Sequence, residues 1–181
     1  RRFTKEFDPD AVYPSHYAID HYDYYEEDIR LFAEMGFKMY RMSVNWTRIF
    51  PNGDDETPNQ AGLDHYRKVF ELCRELNIEP LVTMSHYEFP YSLTKKWNGW
   101  EDRRTIDCFV KYTTTIMNEC KDLVKYWLTF NEINTPLMGA GVTMSLGMMP
   151  ETESLVFGKA ELMSAKEANQ IVNGIHNQFL A

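Results

Sequence analysis

Trp127-Leu128-Thr129-Phe130-Asn131-Glu132-Ile133-Asn134 is an apolar run that closes on an amide and a carboxylate. Val124 to Phe130 has the length and composition of a β-strand, and it reads as a parallel strand covered on both faces. Asn131 and Glu132 at the end of such a strand carry a desolvation cost that packing does not repay. In a β/α barrel the C-terminal strand ends carry the catalytic residues. Glu132 is therefore the first candidate for chemistry, and the fold turns on whether other strands end in the same way.

Two more do. Phe37 to Val44 is a short β-type run carrying Arg41 and Ser43, with Asn45 just beyond. Leu81 to Met84 is an apolar strand followed by Ser85, His86 and Glu88. Helical spacing fills the intervals. Tyr22, Tyr25, Ile29, Phe32 and Met35 lead to Gly36 as a C-terminal cap, and Leu63, Tyr66, Phe70, Cys73 and Leu76 lead to Asn77. Ile106, Phe109, Val110, Thr113, Ile116, Met117 and Cys120 follow Asp102, a suitable N-cap, and Ile171, Ile175 and Phe179 mark a fourth helix.

Helix–strand alternation predicts βαβ units and a parallel sheet. An open doubly wound sheet and a closed barrel compete. No Gly-x-Gly-x-x-Gly follows any strand, which weakens the dinucleotide-binding open sheet. Polar groups at several strand ends favour the barrel. Thr135 to Ala165, rich in Gly, Met and Ser, reads as a long loop of the lid-like or mobile kind.

Composition narrows the function. The chain has 181 residues, 44% of them hydrophobic, enough for one core and too few for two comfortable domains. A net charge of -8 argues against a nucleic-acid partner, and Arg1-Arg2, Lys95-Lys96 and Arg103-Arg104 read as solvated surface. No apolar run approaches the roughly 20 residues of a membrane span. Cys73, Cys108 and Cys120 are odd in number and lack metal-ligand spacing, so a reducing, cytoplasmic setting is expected. Start-of-chain residues carry no signal-peptide pattern. The histidines show no ligand spacing, and no Gly-x-Ser-x-Gly elbow is present, so neither a metal nor a cofactor nor a serine nucleophile is expected.

Glu132 beside Asn131 suits general acid chemistry if its rim is partly apolar, because desolvation raises a carboxyl's pKa. Capping the next helix or pairing with a lysine would equally explain it. Arg41 lies between Met39 and Ser43 on one strand face and, if buried there, needs a carboxylate or carbonyl partner. His86 is either a ligand group or a structural hydrogen-bonder. Tyr87 and Trp46 offer flat faces that suit sugar rings or an ordinary core.

These residues fall in segments similar to a known family. Thr129-Phe130-Asn131-Glu132 resembles the acid/base motif of family 1 glycoside hydrolases. Tyr40-Arg41-Met42-Ser43-Val44-Asn45-Trp46-Thr47-Arg48-Ile49-Phe50-Pro51 resembles the family's second barrel strand, and Val82-Thr83-Met84-Ser85-His86-Tyr87-Glu88-Phe89-Pro90 its third. Asn98-Gly99-Trp100 resembles a structural turn just beyond. The match runs from about Ser15 to Glu132 and continues weakly to Ala181.

The resemblance implies an α/β (β/α)8 TIM barrel, of which these residues cover about strands 2–4 and their helices. On that expectation residues 1–181 are one partial catalytic domain, the N-terminal half without the first strand and without the C-terminal half. It implies retaining hydrolysis of β-glycosides with Glu132 as general acid/base, Asn131, His86 and Tyr87 binding substrate, and Arg41 orienting the nucleophilic carboxylate. That nucleophile, a Glu on the seventh strand, is expected after Ala181. Tyr87-Glu88 and Ile133-Asn134 depart from plain β-glucosidases and are similar to 6-phospho-β-glucosidases, bacterial enzymes acting on sugars phosphorylated during uptake. The expected partner is thus a phosphorylated β-glycoside. A plain β-glucosidase or β-galactosidase, and a non-catalytic sugar-binding barrel, stay open as alternatives, as does an oligomer.

Overall fold

The computed structural model describes residues 10, 12–14, 18–137, 139–149 and 165–181. Three strands, β1 (Met39–Ser43), β2 (Glu79–Ser85) and β3 (Tyr126–Phe130), form a parallel sheet in the order β1-β2-β3. Arg41, Leu81 and Tyr126 are aligned across it, as are Ser43, Thr83 and Leu128. Backbone pairing continues one residue past the strands, with Val44 N–H donating to Thr83 at 3.0 Å and Asn131 N–H to Ser85 at 2.9 Å. All three strand ends therefore meet at one rim.

The expected helices are present as α1 (His21–Glu34), α3 (Gln60–Glu75), α5 (Arg104–Cys120) and α7 (Ala165–Leu180). Gly36 and Asn77 take the left-handed conformation at φ 84° and 57°, the stop geometry predicted for α1 and α3. Asp102, expected as the N-cap of α5, stands one residue before the N-cap Arg103; it is extended, and its carboxylate accepts the Arg104 N–H at 2.9 Å. Three further helices, α2 (Trp46–Ile49), α4 (Tyr91–Trp97) and α6 (Gly139–Met144), are too short to show a period in sequence.

Among the described residues, helices cover one face of the sheet only. Val44, Val82 and Met84 pack there with Trp46, Phe89, Trp100, Phe109 and Tyr112, all of them buried. Trp46 stacks on Tyr112 at 5.3 Å, so it is core rather than a sugar platform. The fully buried Tyr112 donates to the carbonyls of Met84 at 2.8 Å and Val44 at 3.2 Å, tying α5 to the ends of β1 and β2.

Four expectations need correction. Coverage of β3 on both faces fails, because Tyr126 and Leu128 are 52% and 38% exposed and no described element lies over them. For the same reason Arg41, on the open face of β1, is exposed rather than buried. The stretch expected as a lid-like loop is anchored in the core where Val142, Leu146 and Met148 are buried, although Leu137 at its start is 80% exposed. Residues 138 and 150–164 of that stretch lie outside the described residues. Phe179 is 67% exposed; α7 instead buries Ile171, Gly174, Asn177 and Gln178, because its anchors are hydrogen bonds from Asn177 to the Trp100 and Glu101 carbonyls and from Gln178 to that of Ser145.

Candidate active site

The rim gathers four predicted residues from three strand ends. Arg41 reaches across from β1 and donates through Nη2 to Asn131 Oδ1 at 2.8 Å, with its Nε 3.3 Å from the Thr83 hydroxyl. Asn131 Nδ2 donates to the Tyr87 hydroxyl at 3.0 Å, and Tyr87 donates to Glu132 Oε2 at 2.5 Å. Among the described residues Arg41 forms no ion pair; its partners are a carboxamide and a hydroxyl, both neutral.

Local backbone geometry delivers these side chains. Tyr87 and Glu132, each just past a strand, adopt the left-handed conformation at φ 74° and 45°. Bulky residues rarely sit there, and where they do the surroundings hold them. At Glu132 the hold includes its own carbonyl, which accepts the Thr135 N–H at 2.9 Å and the Thr135 hydroxyl at 2.7 Å. Glu132 is exposed, so the apolar enclosure expected around its carboxyl is absent among the described residues.

His86 is half-buried, with its ring edge-on to Tyr87 at 5.1 Å. Among the described residues no hydrogen bond reaches its imidazole, which disfavours the structural reading and leaves both ring nitrogens for a ligand. Burial, and then the Arg41 charge, lower its pKa below the usual value, while Glu132 opposes the shift. The ring is thus biased toward neutral, able to donate from one nitrogen and accept at the other. Tyr87 has a raised pKa, first from burial and next from its bond to Glu132.

One participant escaped sequence reading and one expected rim residue serves elsewhere. Thr83, fully buried in an apolar strand, is the second partner of Arg41; a lone hydroxyl at an inner position was its only signal. Asn45, which looked like a rim residue, caps α2 instead, accepting from the Thr47 N–H at 2.9 Å and the Thr47 hydroxyl at 2.7 Å. Asn98-Gly99-Trp100 is the structural turn expected: Asn98 and Gly99 have φ 52° and 68°, and Trp100 is fully buried. No group of histidine, cysteine and carboxylate side chains among the described residues could hold a metal ion.

A parallel β/α sheet whose rim joins an arginine, a carboxamide, a phenol and a carboxylate places its polar groups where β/α-barrel proteins carry theirs. The profile of Glycosyl hydrolase family 1 matches residues 3–178, and the chain belongs to that family. It is 48% identical to a 6-phospho-beta-glucosidase of Clostridium longisporum over 166 residues, 90% of this chain and 35% of that protein. It is 42% identical to the 6-phospho-beta-glucosidase AscB of Escherichia coli over 173 residues, 93% of this chain and 36% of that protein. The crystal structure of the rice beta-glucosidase Os3BGlu6 matches with a TM-score of 0.64 at 42% identity, covering 68% of this chain and 25% of that one. The fold is therefore that of the family's TIM barrel, and the chain spans about a third of the length of the curated relatives it matches, 35% and 36%.

Proposed function

We propose that this protein hydrolyses 6-phospho-β-glucosides with retention of configuration. Glu132 is the general acid/base, and a nucleophilic Glu is supplied from beyond the 181 residues. The observation that carries the reading is the placement of Glu132: a carboxylate at the end of β3, addressed by Tyr87 and, through Asn131, by Arg41. The phosphorylated substrate is supported by the two 6-phospho-beta-glucosidase relatives, each aligned over at least 90% of this chain. Tyr87-Glu88 and Ile133-Asn134 point the same way.

In this mechanism Glu132 protonates the glycosidic oxygen, which leaves with the aglycone, while the nucleophile, its carboxyl about 5–5.5 Å from that of Glu132, attacks the anomeric carbon. Glu132 then takes a proton from the water that releases the sugar. Asn131 and His86 hold sugar hydroxyls, and Arg41, free of a carboxylate partner among the described residues, orients the nucleophile. Substrates phosphorylated on uptake arise inside the cell, so the enzyme works in the cytoplasm. No helix among the described residues is long and apolar enough to cross a membrane.

The test uses the full-length protein and nitrophenyl glucosides with and without the 6-phosphate. Turnover favouring the phosphorylated substrate is expected, with Glu132→Gln losing on the order of 10²–10⁴-fold in rate. Azide should restore turnover to Glu132→Ala, because the anion attacks the glycosyl-enzyme without a general base and leaves as the glycosyl azide. A preference for the unphosphorylated glucoside would instead give the plain β-glucosidase reading. Unchanged turnover in Glu132→Gln would remove Glu132 from the reaction.

A further inference from the structure

Beside a contact from the Thr135 side chain, the hydrogen bonds that link Arg41, Asn131, Tyr87 and Glu132 run in one direction. A guanidinium has only donors, so Asn131 must turn its carbonyl oxygen to Arg41, as the 2.8 Å contact shows. The Asn131 Nδ2 is then left to donate to the Tyr87 oxygen at 3.0 Å. With that oxygen engaged, the single phenolic proton goes to Glu132 Oε2 at 2.5 Å. Each donor in the series Arg41, Asn131, Tyr87 points toward the carboxylate. A cation stands at one end and an anion at the other, an order in which each bond polarises the next. Both residues of the last bond hold the rare left-handed backbone, φ 74° at Tyr87 and 45° at Glu132, so two unfavourable conformations converge on one contact. The raised pKa of Tyr87 keeps its proton in place.

We infer that Tyr87 is a positioning residue for Glu132: it occupies Oε2, fixes the carboxyl's rotation and leaves Oε1 to exchange the catalytic proton. This rests on Glu132 being the acid/base. In the first step the proton on Oε1 passes to the glycosidic oxygen as the bond from that oxygen to the anomeric carbon breaks. The bonding pair stays with the leaving oxygen, and Tyr87 keeps its own proton throughout.

A sugar-binding tyrosine would affect every substrate alike, whereas a positioning one matters in proportion to the leaving group's need for a proton. The test is therefore kcat/KM of full-length Tyr87→Phe on phenyl and dinitrophenyl 6-phospho-β-glucosides. The expected loss is about 10-fold or more on the phenyl substrate and within about 2-fold on the dinitrophenyl one. In a Glu132→Gln background the same substitution should cost nothing further on the phenyl substrate, because the two residues act as a unit. Equal losses on both substrates, no loss on either, or full additivity with Glu132→Gln would overturn the inference. Failure of the underlying reading looks different: Glu132→Gln itself would then lack any leaving-group dependence, and the inference would fall with it.

Discussion

His65 on α3 shows how strongly a surrounding can retune one side chain. It is 9% exposed, stacked on Tyr22 at 4.1 Å and edge-on to Tyr66 at 5.2 Å. Burial, and next the nearby Arg48 charge, lower its pKa from 6.5 to about 4. Between those values the unfolded chain binds a proton that the folded chain refuses, so folding stability falls with falling pH. The contribution is intact above pH 6.5 and is lost as pH drops toward about 4. Denaturation midpoints measured across that window should decline, and His65→Phe should flatten the decline; an unchanged slope would place the acid sensitivity elsewhere. Nothing in the sequence marked His65, because its neighbours come from α1 and α3 together. Glu132 and Asn131 were legible for the opposite reason: polar groups ending an apolar strand stand out without any tertiary contact. The bond from Tyr87 to Glu132 was not legible, since it spans two strand ends and depends on positive φ at non-glycine residues.

At the scale of elements, periodicity recovered β1 to β3 and the long helices α1, α3 and α5, whose amphipathic faces repeat over several turns. It missed the segment after β3, where glycine, serine and methionine suggested a lid. Packing explains that failure. Leu146 is fully buried, its carbonyl accepts the Trp100 N–H at 2.9 Å, and the adjacent Gly147 carbonyl accepts the Thr94 hydroxyl at 2.7 Å. Gly99, at φ 68°, is obligatory there: a Cβ would lie 2.3 Å from the Leu146 carbonyl oxygen. Residues 139–149 therefore act as a strap that closes the end of the core beside the rim. Leu146→Ala should cost about 2–5 kcal/mol in denaturant titrations, the range for a fully buried leucine. A mobile lid would lose no more than about 0.5 kcal/mol, so the two descriptions separate cleanly.

For the molecule as a whole, the sheet has helices on one face and nothing described on the other. Met39, Tyr126 and Leu128 are 49%, 52% and 38% exposed, and β1 and β3 are both edge strands. An edge strand offers unpaired N–H and C=O groups, and apolar side chains beside it favour pairing with another chain. The net charge of -8 opposes association only at longer range and is screened beyond about 10 Å in ordinary salt. Short-range pairing should therefore win. The 181-residue chain produced alone should sediment as concentration-dependent oligomers, and added salt should increase their size. It should also fail to turn over a 6-phospho-β-glucoside, because one carboxylate cannot carry out a double displacement. On the proposed mechanism, the full-length protein should suppress oligomer formation and turn the substrate over, since elements covering the open face would also bring a nucleophile opposite Glu132. A monomeric 181-residue chain would show instead that the exposed face of the sheet is closed by the chain itself.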